Sequence, residues 1–265
     1  MPEEWRRTQR RLRALALSAA SWLILAPPAQ AQEAEQSSPT EAASKPPAPP
    51  AIVVGLVGGY VRRDNAVHSV VQLARRLQQD YPKESEVRVM VYENHHGKDA
   101  EREILTLLHA GHHGTPTEEE KRGARIVIFG HSWGASETVT LARSLGQQGI
   151  PVLLTVQVDS VAKRNQDDGT IPANVAEAAN FYQLDGLLHG RQEIRAQNPA
   201  ATHIVGNFQS QYKTHPLTCT SPYPWYNRVF MRPHTEIECD PNVWDKVEKL
   251  IRSKLPSKAN AVAAN

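Results

Sequence analysis

Two kinds of apolar pattern alternate along this chain. Compact apolar runs occupy Ala51 to Val57, Ile126 to Phe129 and Val152 to Val158, as expected of strands buried on both faces. Between them, apolar residues recur at helical spacing. Val67, Val70, Val71, Leu73, Ala74 and Leu77 predict a helix over Asn65 to Tyr81, and Ile104, Leu107 and Leu108 predict one over Asp99 to Ala110. Ala135, Val139, Ala142 and Leu145 predict a third, directly after the second apolar run. Glu86 to Tyr92 alternates as a strand does, and Thr202 to Val205 reads as another short strand. Residues 172–184 fit either a helix or a strand. A last stripe, Val243, Trp244, Val247, Leu250 and Ile251, follows Asp240 as N-cap and Pro241 at the first helical position. Strands alternating with helices predict an α/β fold, with a mostly parallel central sheet flanked by helices and right-handed crossovers.

The first 50 residues do not share this pattern. Arg6, Arg7, Arg10, Arg11 and Arg13 precede an apolar stretch from Ala14 to Ala26, and Ala29-Gln30-Ala31 offers a small-x-small cleavage site. Residues 1–31 therefore read as a secretory signal peptide. The apolar stretch is short against the roughly 20 residues a membrane span needs. This predicts a secreted or periplasmic protein with no transmembrane segment after cleavage; an uncleaved anchor is the alternative. Residues 32–50, rich in Gln, Glu, Ser, Ala and Pro, read as a disordered tether. The folded domain is expected over 51–256 and a frayed tail over 257–265.

The formal net charge of +2 belongs to the whole chain. Losing residues 1–31 removes five arginines and two glutamates, leaving 25 basic against 26 acidic residues, or −1. The folded part has no basic block or basic helical stripe, so nucleic acid is not an expected partner.

The second apolar run leads straight into Gly130-His131-Ser132-Trp133-Gly134 and then into the helical pattern. Strand, G-x-S-x-G, helix is the setting of a nucleophile elbow. The turn lifts Ser132 above the sheet edge at a helix N-terminus, where unpaired N–H groups face the site, and Gly130 and Gly134 let strand and helix approach closely. A serine needs a base and an orienting acid. The next apolar run ends in Asp159, which places a carboxylate at the same sheet edge. In the order Ser, acid, His, the base comes later. His234, just before the terminal helical stripe, is the leading candidate. His215 in a polar loop is its main rival, and His189 and His203 are also downstream.

With Gly130 to Gly134, Asp159 and His234 in this order, residues 51 to 255 resemble the α/β-hydrolase superfamily, in its compact lipase- and esterase-like branch. The resemblance implies a serine hydrolase that needs no cofactor or metal and acts on a small-molecule acyl ester or lipid-like substrate. It also implies that an early strand and its Gly-containing loop complete an oxyanion hole. Ala51 to Tyr60 fits that strand and loop, so the backbone N–H groups of Tyr60 and Trp133 are the expected donors. No His-Gly-Gly-Gly run is present. Large caps in this fold usually enter after the acid-proximal strands; Ser160 to Val175 is short and polar, so a small or absent lid is expected.

Three features stand outside this assignment. Cys219 and Cys239 are an even count in a chain predicted to be exported and bracket His234; a disulfide is expected, with two buried thiols as the alternative. His95-His96 and His112-His113 are adjacent pairs, whose side chains point different ways on regular backbone, and no C-x-x-C occurs. They read as loop histidines, the first pair lying near the sheet edge. The long segment from Gln209 to Pro233 carries Tyr212, Tyr223, Trp225 and Tyr226, either lining an acyl site or pinning the loop to the core. Two other functions remain open on the sequence: a non-catalytic binding or envelope protein of the same fold, and a metal-dependent hydrolase using the paired histidines.

Overall fold

A computed structural model describes residues 49–109, 115–219 and 231–257. In chain order the elements are β1 (Ala51–Val57), α1 (Ser69–Asp80), β2 (Val87–Glu93), α2 (Gly97–Leu108), α3 (Glu118–Arg122), β3 (Arg125–His131), α4 (Trp133–Gln147) and β4 (Val152–Val158). There follow β5 (Thr170–Ile171), β6 (Val175–Gln183), β7 (Arg195–Ala196), β8 (His203–Ser210), α5 (Arg232–Cys239) and α6 (Pro241–Arg252). Six strands form one sheet in the order β2-β1-β3-β4-β6-β8, and each neighbouring pair is parallel. The two-residue strands β5 and β7 pair separately.

A parallel sheet must be covered on both faces, and successive residues of a strand point to opposite faces. In β1, Ala51, Val53 and Val57 join one core with Val70, Leu73 and Leu77 of α1 and Val243, Trp244 and Val247 of α6. Ile52, Val54 and Leu56 join a second core with Ala100, Ile104 and Leu108 of α2 and Val139 and Leu145 of α4. This is why β1 reads as an unbroken apolar run.

From β1 the chain steps outward through α1 to β2. It then returns across β1 to place β3 on the other side, followed by β4, β6 and β8. The direction of winding therefore reverses between β1 and β3. In open α/β sheets the crevice beyond the strand C-termini at such a point is where ligands bind. The loops that open there begin at Gly58 and at Ser132. The mostly parallel, helix-flanked architecture expected from the sequence is the one observed, and among the described residues no helical insertion follows β4 or β6.

Residues 175–183, ambiguous by pattern, are a strand because β4 and β8 pair with them on both sides. That pairing buries Ala178, Ala179, Asn180 and Phe181. The short helix α3 was not anticipated; its signal was Thr117-x-x-Glu120, which forms a capping box. The signal-peptide segment, residues 32–48 of the tether, residues 258–265 of the tail, His112, His113, Tyr223, Trp225 and Tyr226 lie outside the described residues. Among the described residues no helix is long and apolar enough to cross a membrane.

Candidate active site

The elbow forms as the glycine spacing requires. A Cβ at Gly130 would stand 2.6 Å from the Gly134 carbonyl, and one at Gly134 would stand 2.1 Å from the Leu56 carbonyl oxygen. The first turn of α4 thus rests directly on the backbones of β3 and β1. Between the glycines, Ser132 takes φ 57 and ψ −123, a sparsely populated conformation for a side-chain-bearing residue that costs about 1–3 kcal/mol. The surrounding contacts hold it there: Ser132 N–H donates to the Val158 carbonyl at 3.0 Å, and the Ser132 carbonyl accepts from Ser136 N–H and Val161 N–H.

Asp159 follows the last residue of β4, also at positive φ (45), and is completely buried. Its Oδ1 accepts from Gly190 N–H at 2.7 Å and Gln183 N–H at 3.2 Å. Its Oδ2 accepts from the Gln183 amide at 2.9 Å and lies 2.7 Å from His234 Nδ1. A buried charge is tolerable only when its lone pairs are filled, and four donors surround this one. Gly190 is required at its position, since a Cβ there would lie 2.5 Å from Asp159 Oδ1. Gln183 is held in turn, its amide donating to the Leu188 carbonyl and its Oε1 accepting from Asp185 N–H and Gly186 N–H.

His234 Nε2 lies 2.9 Å from Ser132 Oγ. An ionised carboxylate only accepts, so Nδ1 carries the proton and Nε2 presents its lone pair to the serine hydroxyl. Ser132, His234 and Asp159 are thereby linked in one line across 102 residues of chain. The sequence placed His234 in a loop; the structure places it in the first turn of α5, which Pro233 can occupy without losing a helical bond. The rivals lie elsewhere: His189, His203 and His215 are exposed, and His215 Nδ1 faces the hydroxyl of Thr214.

Cys239, the last residue of α5, is disulfide-bonded to Cys219. Tyr212 is buried, and its hydroxyl donates to Asp240 Oδ2 at 2.9 Å. It pins the segment to the N-terminus of α6. Tyr60 is 93% exposed, with its ring 5.5 Å from that of Trp133 in an edge-to-face arrangement. Among the described residues neither Tyr60 N–H nor Trp133 N–H has an acceptor. His96 is engaged with Asp99 at 2.7 Å, and no group of three metal-ligating side chains occurs among the described residues.

Sequence reasoning missed the surroundings of the histidine. The His131 ring lies 4.7 Å from that of His234, and His68 lies 5.5 Å beyond His131. Glu238 approaches His68 Nδ1 at 3.7 Å and accepts from Ser69 N–H at 2.6 Å. All of these are buried. Burial, aided by the nearby His234, pushes His68 down to about 3 and His131 well below the ordinary histidine range. Burial pushes the Glu238 carboxyl up to about 7, against the hydrogen bonds from Ser69. Near neutrality the two rings behind His234 are thus uncharged, and neither opposes a positive charge arriving on it. His131 was legible beside Ser132 in the elbow; His68 and Glu238 carry no local signal.

No family model matches this chain, and no curated protein does. Solved structures with a similar arrangement include RedJ with a PEG molecule bound in its active site, at 13% identity and a TM-score of 0.36, covering 77% of this chain and 98% of RedJ. They also include the RedJ thioesterase from the prodiginine biosynthetic pathway of Streptomyces coelicolor, at 12% identity and a TM-score of 0.35, covering 78% and 100%.

Proposed function

We propose that this chain is an exported serine hydrolase that cleaves a carboxylic ester or thioester through an acyl-enzyme on Ser132. One observation carries the reading: a serine at a strained strand-to-helix turn, 2.9 Å from an imidazole nitrogen whose partner nitrogen is 2.7 Å from a buried carboxylate.

In this reading Ser132 Oγ attacks the substrate carbonyl carbon as its proton passes to His234 Nε2. Asp159 holds the imidazole in the productive tautomer and stabilises the imidazolium. The carbonyl oxygen becomes an oxyanion, bound by the N–H groups of Trp133 and Tyr60. Collapse expels the alcohol or thiol, which takes the proton from His234. Water, activated by the same imidazole, then releases the acid and regenerates the serine. The candidate signal peptide and the disulfide support export. The fold does not choose between ester and thioester.

The test is labelling of the mature protein with a fluorophosphonate probe, read by mass mapping. Modification at Ser132, lost in Ser132→Ala together with a fall of several orders of magnitude in turnover, is the expected result. Absence of labelling, or full activity in Ser132→Ala, overturns the proposal in favour of a binding protein on the same fold or another catalytic centre.

A further inference from the structure

The loop after β1 packs on the elbow, because a Cβ at Gly58 would stand 2.8 Å from Ser132 Cβ and 2.7 Å from the His131 carbonyl oxygen. It turns back at once, with Val61 N–H donating to the Gly58 carbonyl at 3.1 Å. Of the two central residues of this turn, Gly59 has positive φ (51) and Tyr60 does not, the pattern of a type II′ turn. The soft coordinate of such a turn is its central peptide, here the Gly59 carbonyl and the Tyr60 N–H. A flip of that plane leads to a type I′ turn and reverses both groups. In a trans peptide the two point in opposite directions, so whatever grips the carbonyl aims the N–H.

The grip comes from Asn94, the residue after β2. Its side-chain amide donates to the Gly59 carbonyl. Asn94 is itself 3% exposed, and its own carbonyl accepts from Lys163 Nζ at 2.9 Å. Glu93 ties the far side of the same loop by accepting from Arg63 N–H at 3.0 Å. Lys163 belongs to the loop after β4 and is anchored there by its own N–H, which donates to Gln166. Gln166 in turn accepts from Ser136 of α4. A continuous brace therefore runs from the β1 loop through the end of β2 to the loop after β4 and on to the first turn of α4.

We propose that Asn94 is a positioning residue for the hydrolytic reaction: by holding the Gly59 carbonyl it fixes the central peptide of the turn and keeps the Tyr60 N–H aimed at the developing oxyanion. The inference rests on the serine-hydrolase reading above. Asn94 touches no reacting atom, and its effect is confined to the step in which negative charge appears on the carbonyl oxygen. Tyr60 resists the flipped turn, because that turn needs positive φ at a bulky residue. Losing Asn94 therefore loosens the donor without removing it.

The experiment compares wild type, Asn94→Ala and Asn94→Asp as full-length mature protein, hydrolysing p-nitrophenyl butyrate and binding phenylboronic acid. Asn94→Asp keeps the volume but replaces the donor with a carboxylate that repels the Gly59 carbonyl, so it guards against a cavity effect in the alanine variant. Removing an oxyanion donor outright costs about 100- to 1,000-fold, so a loosened one is expected to lower kcat/KM by roughly 10- to 100-fold in both variants. The boronate, whose tetrahedral adduct occupies the same hole, is expected to bind weaker by a similar factor. The acid limb of the pH profile is expected to stay in place, because the Ser132, His234 and Asp159 contacts are untouched. Any of three results overturns the proposal: kcat/KM within twofold of wild type in both variants, a fall in kcat/KM with boronate affinity unchanged, or an acid limb that moves with the loss. A wild type that is neither labelled by a fluorophosphonate nor active removes the hydrolase reading and this inference together. A labelled wild type with unaffected variants removes this inference alone.

Discussion

Replacing Glu238 by glutamine is expected to stabilise the protein above neutral pH, and the effect follows from where that carboxyl sits. Glu238 is 1% exposed on α5, next to His68 of the β1–α1 connection. Burial raises its carboxyl from the ordinary 4.5 to about 7. The folded state therefore holds this proton more tightly than the unfolded chain does. The stability from that difference is complete below about pH 4.5 and is lost as pH rises through 7. The loss integrates to on the order of 3 kcal/mol. His68 acts in the opposite sense: burial pushes it down to about 3, so its contribution is present above the ordinary histidine range and lost as pH falls. Both proteins in the comparison contain His68 and His131, so the difference between them isolates the carboxyl. Glutamine keeps an oxygen to accept from Ser69 N–H and has nearly the same volume. Urea unfolding of wild type and Glu238→Gln between pH 5 and 9 is the assay. The variant's advantage is expected to grow with pH to about 3 kcal/mol and level off above pH 8, a midpoint shift of roughly 1–3 M at ordinary urea slopes. An advantage that is flat with pH, or a variant that grows weaker as pH rises, would refute the assignment of a proton to Glu238 near neutrality.

Two further outcomes are expected beside the Ser132 and Asn94 tests. Gly190→Ala puts a methyl 2.5 Å from Asp159 Oδ1; displacing that carboxylate is expected to cost on the order of 100-fold in kcat/KM, and a kcat/KM within threefold of wild type would separate the Asp159 geometry from turnover. Reduction of Cys219–Cys239, which closes a loop of sequence separation 20, is expected to cost about 3 kcal/mol by the chain-entropy estimate. Because α5 ends at Cys239, the proposed hydrolytic turnover is expected to fall at temperatures where far-UV circular dichroism is unchanged; parallel loss of both signals would show that the bridge serves the whole fold.

Features set by local pattern were legible from the residues alone. The unbroken apolar run of β1 and the spacing of Val70, Leu73 and Leu77 on α1 state their burial directly, because strand and helix periodicities differ. Gly130-x-Ser132-x-Gly134 between an apolar strand and a helix marked the elbow, since only glycine leaves room where α4 rests on Leu56 and Gly134 lies against Gly130. Asp159 was readable from its place at the end of a strand. Four histidines follow Asp159 before the terminal helix, and no local rule separates them. What distinguishes His234 is a pair of distances to residues 75 and 102 positions away. Residues 175–183 mix alanines with β-formers, and became a strand only because β4 and β8 pair on either side. The uncharged rings of His68 and His131 and the raised Glu238 carboxyl beside them arise from burial, which the packed core imposes. The hold of Asn94 on Gly59 likewise depends on parallel register, which sets the end of β2 beside the end of β1. Sequence by itself determined the strongly patterned elements and the elbow, whose causes act within a few residues. Tertiary structure decided which distant side chains meet, because only the assembled sheet brings the loops of β1, β2, β3 and β4 to one edge.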